Sequence, residues 1–209
     1  MGERINRNTV SCEEDAALVR AFQAAEETAF DKLVLKHKGR VFNLCYRILG
    51  DYEEADDCAQ EAFVKVYRSL NRFRFKSAFS TWLYRIAVNT CKNRFRSAEY
   101  RNSRKAVRLD GAVNPGRDTA PVEIADTSLS PAVEVERKEM GVLIRQAIDS
   151  LPEEQKMVVV LRDVEGMTYE EIAGITGYNP GTVKSKLARG RRKLREKLSG
   201  MRESQRAVV

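Results

Sequence analysis

The sequence contains a single histidine, and that shortage excludes most metal and acid–base chemistry at the outset. His37 falls on an apolar helical stripe, with no second histidine and no cysteine or acid at ligand spacing, so it reads as a packed side chain. Cysteine is equally sparse: Cys12, Cys45, Cys58 and Cys91 form no CxxC pair, and three of them fall on apolar stripes. They are expected to be small reduced core residues, with no disulfide framework, metal or cofactor. No apolar run is long enough to cross a bilayer, and the polar, mixed-charge start is unlike a signal peptide. The expected location is therefore the cytoplasm, without membrane insertion. Nucleophile–base pairs and phosphate-binding loops are missing as well, and no enzymatic activity is expected.

The most informative shortage is of acids, in two stretches. Between Glu61 and Glu99 there is no Asp or Glu, while Lys65, Arg68, Arg72, Arg74, Lys76, Arg85, Lys92, Arg94 and Arg96 are all cationic. Between Glu171 and Glu196 acids are absent again, against Lys184, Lys186, Arg189, Arg191, Arg192, Lys193 and Arg195. The chain carries a net charge of +7 and a pI of about 9.3, which favours a polyanionic partner.

Within the first acid-poor stretch, Ser77 to Arg96 wound at helical pitch puts Leu83, Tyr84, Ala87, Val88, Cys91 and Phe95 on one side. The other side carries Trp82, Arg85, Asn89, Lys92, Asn93 and Arg96. Cations hold phosphates, an exposed indole stacks on a base and amides read base edges, so this face suits unpaired nucleic acid. A basic solvated face with a half-buried Trp is the competing reading. The loop before it, Asn71 to Ser80, supplies Phe73, Phe75 and Phe79, either as packing beneath the loop or as the rim of a pocket for an extruded base.

Periodicity elsewhere predicts an all-α protein of two small helical domains joined by an irregular linker. A short helix is expected from Glu13 to about Ala25, then a longer one through Leu33, His37, Val41, Leu44 and Ile48. The next keeps Ala55, Cys58, Ala59, Ala62, Phe63, Val66, Tyr67 and Leu70 on its core side and opens its other face with Glu53, Glu54, Asp56, Asp57, Gln60 and Glu61. Acids in a first turn complement the helix dipole, but this many suggest a docking face for a basic partner. The first domain is expected over 1–98, the linker over 99–132, where Pro, Gly, Ser and Asp replace periodicity, and the second domain over 133–209. In that second domain Met140, Leu143, Ile144, Ala147, Ile148 and Leu151 make one stripe, and Met157, Val160, Leu161 and Val164 another. Thr168 and Glu171 form a capping box, Gly177 to Asn179 a turn, and Pro180 opens a basic helix cored by Val183, Leu187, Leu194 and Leu198. That is a helix-turn-helix of the kind that enters a major groove. A repressor or activator using this element alone, with the first domain as a sensor, remains the alternative from another class.

The segments Asp51–Leu70, Phe79–Asn93 and Leu151–Leu198 together resemble the bacterial extracytoplasmic-function sigma factors, in that family's order. The resemblance implies a non-enzymatic subunit that binds core RNA polymerase, directs it to promoters and assists melting. It implies that Asp56, Asp57, Gln60 and Glu61 dock on the clamp coiled coil of the largest subunit, with the polymerase flap and an anti-sigma factor as further partners. Phe73, Arg74, Phe79, Trp82, Arg85, Asn89, Lys92 and Asn93 fall where the family meets the minus-ten element. Thr182, Lys184, Ser185, Lys186, Arg189 and Arg192 fall where it reads the minus-thirty-five duplex, and the linker where it threads the polymerase. Two departures are visible. Many relatives read FRG and then an acid where this chain has Phe73, Arg74, Phe75 and Lys76. Lys184 and Lys186 stand where arginine is frequent, without its bidentate fork.

Overall fold

The structure is a computed structural model that describes residues 2–97 and 131–206, with side chains over 11–97 and 140–200. Among the described residues every regular element is helical, as the sequence predicts: α1 (Gly2–Gln23), α2 (Thr28–Leu49), α3 (Tyr52–Leu70), α4 (Phe79–Arg96), α5 (Pro131–Asp149), α6 (Glu153–Val159), α7 (Tyr169–Thr176) and α8 (Pro180–Arg206). After α6 the backbone widens into a π-helical turn, Val160–Val164.

In the first half α2, α3 and α4 pack on one another and α1 lies against them. The stripes that predicted these helices are the ones they bury: Leu33, His37, Val41, Leu44 and Ile48 from α2, Ala55, Ala62, Val66 and Leu70 from α3, and Leu83, Ala87, Val88 and Phe95 from α4. The sharp passage from α2 to α3 is set locally. Gly50 ends α2 in the left-handed region at φ 80°, and the Asp51 carboxylate accepts the Glu54 N–H at 3.0 Å to cap α3.

In the second half the expected helix-turn-helix is present. Thr168 and Glu171 close a reciprocal capping box at the start of α7. Asn179 Oδ1 accepts the Thr182 N–H at 2.7 Å, and Pro180 occupies the first position of α8, where its missing N–H costs no bond. Gly190 lets α8 cross α6 closely: a β-carbon there would stand 2.8 Å from Val159 Cγ2, inside van der Waals contact.

Several expectations need correction. α1 begins at Gly2 rather than near Glu13 and ends at Gln23. The residues before Glu13 are largely polar, so no apolar stripe signals their helix. Tyr67 is not a core residue; it is 45% exposed and stands on the edges of Phe22 and Phe30, at 5.5 and 5.0 Å. Met140 and Ile144 are exposed as well, because α5 packs chiefly on α8 and leaves the rest of its apolar face open, and Val164, at the end of the π-helical turn, is also exposed. The linker expected over 99–132 lies outside the described residues except at its end, where Pro131 starts α5.

Nothing in the sequence announced that the two halves touch. Arg47 of α2 pairs with Glu165 at 2.7 Å, and the buried ammonium of Lys156 pairs with Asp149 at 2.6 Å beside Gly50. The π-helical turn and α7 thereby approach α2 and α4.

Candidate nucleic-acid interface

α4 presents Arg85, Asn89, Asn93 and Arg96 to solvent, opposite its buried stripe. Of the two readings open for Trp82, an exposed indole and a half-buried one, the structure shows the half-buried one, with its ring 5.0 Å from Phe73 and 6.1 Å from Phe79. Phe73 and Phe79, considered for the rim of a base pocket, are buried and form the floor on which the indole rests. The reason is areal. Two phenyl rings beside a helix start gain more from burial than from standing in water, and edge-to-face contacts fix their order.

Only Phe75 of the loop aromatics reaches solvent, at 38% exposure, and it does so with a left-handed backbone, φ 54°. For a bulky residue that conformation costs roughly 1–3 kcal/mol and persists only where neighbours over-determine it. A glycine would adopt the same backbone without that cost. The neighbours here are Phe73, edge-on at 5.0 Å, and the Arg20 guanidinium, 5.1 Å above the ring. Arg74 and Lys76 flank it, both exposed.

Beneath this cluster lies a buried polar pair that the sequence did not reveal. His37 Nε2 is 3.0 Å from each carboxylate oxygen of Asp15, and the His37 ring meets Phe79 edge-on at 5.4 Å. Burial alone would raise the Asp15 carboxyl, but hydrogen bonds from His37 and from Lys36, whose Nζ lies at 2.8 Å, hold it below the usual carboxylate value. His37 is therefore packed, as expected, but packed against an acid.

The acidic face of α3 is exposed at Asp57, Gln60 and Glu61 and half-buried at Asp56. Part of its charge is answered within the chain: Arg94 pairs with Glu54 and lies 3.5 Å from Asp57, and Lys65 pairs with Glu61 at 2.7 Å. Asp56 accepts from Gln60 at 2.8 Å. Of the α8 residues, Lys184, Ser185, Arg189 and Arg192 are exposed, while Thr182 and Lys186 are half-buried.

Lys92 and Lys186 behave differently from their neighbours. Lys92 Nζ donates to the Thr176 carbonyl of α7 at 2.6 Å and lies 4.8 Å over the Tyr178 ring. Lys186 sits 5.0 Å from the same ring and pairs with Glu154, to which the Tyr178 hydroxyl donates at 3.2 Å. Burial, with Arg96 and Lys186 nearby, pushes the Lys92 ammonium below its usual value. Burial and the Glu154 charge push Tyr178 up to about 12. One aromatic ring thus holds a cation from each basic helix.

Cys45, Cys58 and Cys91, remote in sequence, are buried together in the core between α2, α3 and α4, with Cys91 neighbouring both others. Those contacts raise the Cys91 thiol, while the contact with Cys91 lowers Cys58. Cys12 is exposed. Among the described residues no group of His, Cys, Asp and Glu is arranged to hold a metal ion.

The two halves coincide with two family profiles: Sigma-70 region 2 matches residues 33–100 and Sigma-70, region 4 matches residues 141–194. The RNA polymerase sigma-H factor of Pseudomonas aeruginosa is 40% identical over 179 residues, 86% of this chain and 91% of that protein. The ECF RNA polymerase sigma-E factor of Escherichia coli K12 is 37% identical over 184 residues, 88% of this chain and 94% of that one. The chain belongs to the sigma-70 family, in its extracytoplasmic-function group. A sigma factor of this group directs RNA polymerase to promoters at transcription initiation. The fold is also that of the solved complex of CnrH with the cytosolic domain of CnrY, at 22% identity, a TM-score of 0.59 and coverage of 90% of this chain and 98% of that one. All of α1, with the Asp15, Arg20 and Gln23 side chains it carries, precedes the matched part of region 2 in this sigma factor. No helix among the described residues is long and apolar enough to cross a membrane.

Proposed function

We propose that this sigma factor divides promoter recognition between its two acid-free helices. α4 and the loop before it meet the unpaired minus-ten strand. Trp82 offers an indole face, Arg85 and Lys92 hold phosphates, and Asn89 and Asn93 reach base edges, while Phe73 and Phe79 support the indole from below and Arg74 flanks the loop. α8 enters the minus-thirty-five major groove with Thr182, Lys184, Ser185, Lys186, Arg189 and Arg192. Asp56, Asp57, Gln60 and Glu61 of α3 dock on the basic clamp coiled coil of the polymerase largest subunit, and the second half meets the flap. The chain itself performs no bond-making chemistry, acts where the polymerase acts in the cytoplasm, and is held in check by an anti-sigma factor.

The observation that carries this reading is the pairing of two exposed basic faces of different character on one chain. One has an indole and amides set among cations; the other has helix-turn-helix geometry. Lys92 and Lys186 share the Tyr178 ring, so reading both elements at once requires that contact to part. The test is reconstitution. Core polymerase with this chain should start transcripts at discrete promoter positions, and core polymerase alone should not. Tight, sequence-specific repression by the free chain, without any gain in initiation, would instead favour a repressor.

A further inference from the structure

The loop that carries Phe75 is held from a direction that neither matched region includes. Gln23, the last residue of α1, donates from Nε2 to the carbonyls of Leu70 and Phe73, both at 3.0 Å. One amide thus ties the C-terminal end of α3 to the first turn of the loop, adding a second bond at the Leu70 carbonyl, which already accepts the Phe73 N–H at 3.0 Å. One turn back along α1, the Arg20 guanidinium covers the Phe75 ring. The left-handed backbone of Phe75 is the strained element, and strain in a bulky residue marks a place where the surroundings impose a shape. What they impose is an aromatic face at the loop's exposed edge, with cations beside it and Trp82 reached through Phe73.

We propose that Gln23 and Arg20 are positioning residues for base recognition, fixing the loop so that Phe75 stacks on an unpaired base and the surrounding backbone selects which base it is. The inference rests on the minus-ten reading above and names further residues of that same site. A ring alone accepts any base, because every base has a π-face. Discrimination comes from groups aimed at base edges, and these are fixed only while the loop is fixed. Removing the clamp therefore loosens selection more than it weakens binding. A purely structural role for Gln23 would weaken all sequences alike.

The test uses holoenzyme reconstituted from core polymerase and full-length chain, on templates premelted and randomised across the minus-ten segment. Bound templates are sequenced to give the ratio between best and worst base at each position. Gln23→Met and Arg20→Ala should each lower that ratio by about two- to fivefold at one position, the scale of one exposed cation–π contact. In a Phe75→Gly background, where both strain and ring are gone, Gln23→Met should change the ratio no further. Both side chains are exposed, so folding should survive; if Gln23→Met melts early, Arg20→Ala carries the same readout. Uniform weakening across all bases, or a full Gln23→Met effect in the glycine background, overturns the inference. If Trp82→Ala impairs opening of duplex templates while both clamp variants keep the wild-type ratios, only this inference falls. If wild type shows no base preference on the premelted strand, the minus-ten reading falls with it.

Discussion

Replacing Trp82 by alanine separates the two things the indole does in this structure. It rests on Phe73 and Phe79, at 5.0 and 6.1 Å, so its loss removes aromatic contacts and half-buried surface. Full truncation of a core aromatic costs about 3–5 kcal/mol, and a half-buried one about half that, so roughly 2 kcal/mol of stability goes. A domain with 5–15 kcal/mol to lose stays folded. The second loss, one base–aromatic stack, is about 1–3 kcal/mol and is felt only when strands are unpaired. It slows opening by about fivefold to a hundredfold, since each 1.4 kcal/mol is a factor of ten. Lys184 and Arg189 lie on α8, in the other half, so closed-complex formation should be spared. The assay compares transcription from duplex and premelted templates with mutant holoenzyme. Stability loss lowers both equally; loss of the stack lowers only the duplex, and premelting rescues it. An equal defect on both templates, or none on either, would refute the reasoning and leave Trp82 a packing residue.

Charge reversal at Asp57 and Glu61 should abolish assembly with core polymerase while changing stability by no more than about 0.5 kcal/mol, because both carboxylates are exposed and Asp57 lies 3.5 Å from an Arg94 that is already paired with Glu54. Thermal melting and gel-filtration of the mixture check the two halves of that statement, and wild-type assembly would show the docking face to be elsewhere. Replacing Cys12, Cys45, Cys58 and Cys91 with alanine should cost about 1 kcal/mol at each of the three buried sites, and wild type and replacement should transcribe alike with and without oxidant, since the thiols carry no essential chemistry and three of the four are shielded by burial. Stoichiometric zinc in the purified wild type, or oxidant sensitivity abolished by the replacements, would contradict it. The Asp15 carboxyl is held below its ordinary 3.8, so its anchoring of His37 contributes fully above that pH and is lost as pH falls through the lower folded value. Asp15→Asn should therefore lower the melting temperature at neutral pH and flatten its fall in acid; an unchanged acid limb would show that the pair is not coupled to folding.

The helices were legible because their cores are one-sided: the α3 and α4 stripes named buried residues such as Ala62, Val66, Leu83 and Val88 from spacing alone. The turn between α7 and α8 was legible for a different reason, as Thr168, Glu171, Asn179 and Pro180 each perform a local task that short-range chemistry dictates. What failed was anything set by distant partners. Asp15 reads as a surface acid until His37 and Lys36 are seen to enclose it. Phe73 and Phe79 could have stood on a rim or under it, and only the three-dimensional neighbourhood of Trp82 decides. Lys92 looked like a free cation on a basic face; its carbonyl partner, Thr176, is 84 positions away. The departure at Phe75 was visible as a departure, but its left-handed backbone and the contacts that Gln23 and Arg20 make around it were not.

The division of labour between α4 and α8 is tested most directly by photocrosslinking from defined positions. A photoreactive amino acid is placed at position 82 or position 189 of the chain, and holoenzyme is assembled on a cognate promoter and irradiated before nucleotides are added. The account predicts that position 82 crosslinks to the unpaired strand of the minus-ten segment, only once the promoter has opened. Position 189 should crosslink to duplex in the minus-thirty-five segment, before and after opening. Crosslinks from position 82 to upstream duplex, or from position 189 only to melted strand, would contradict it.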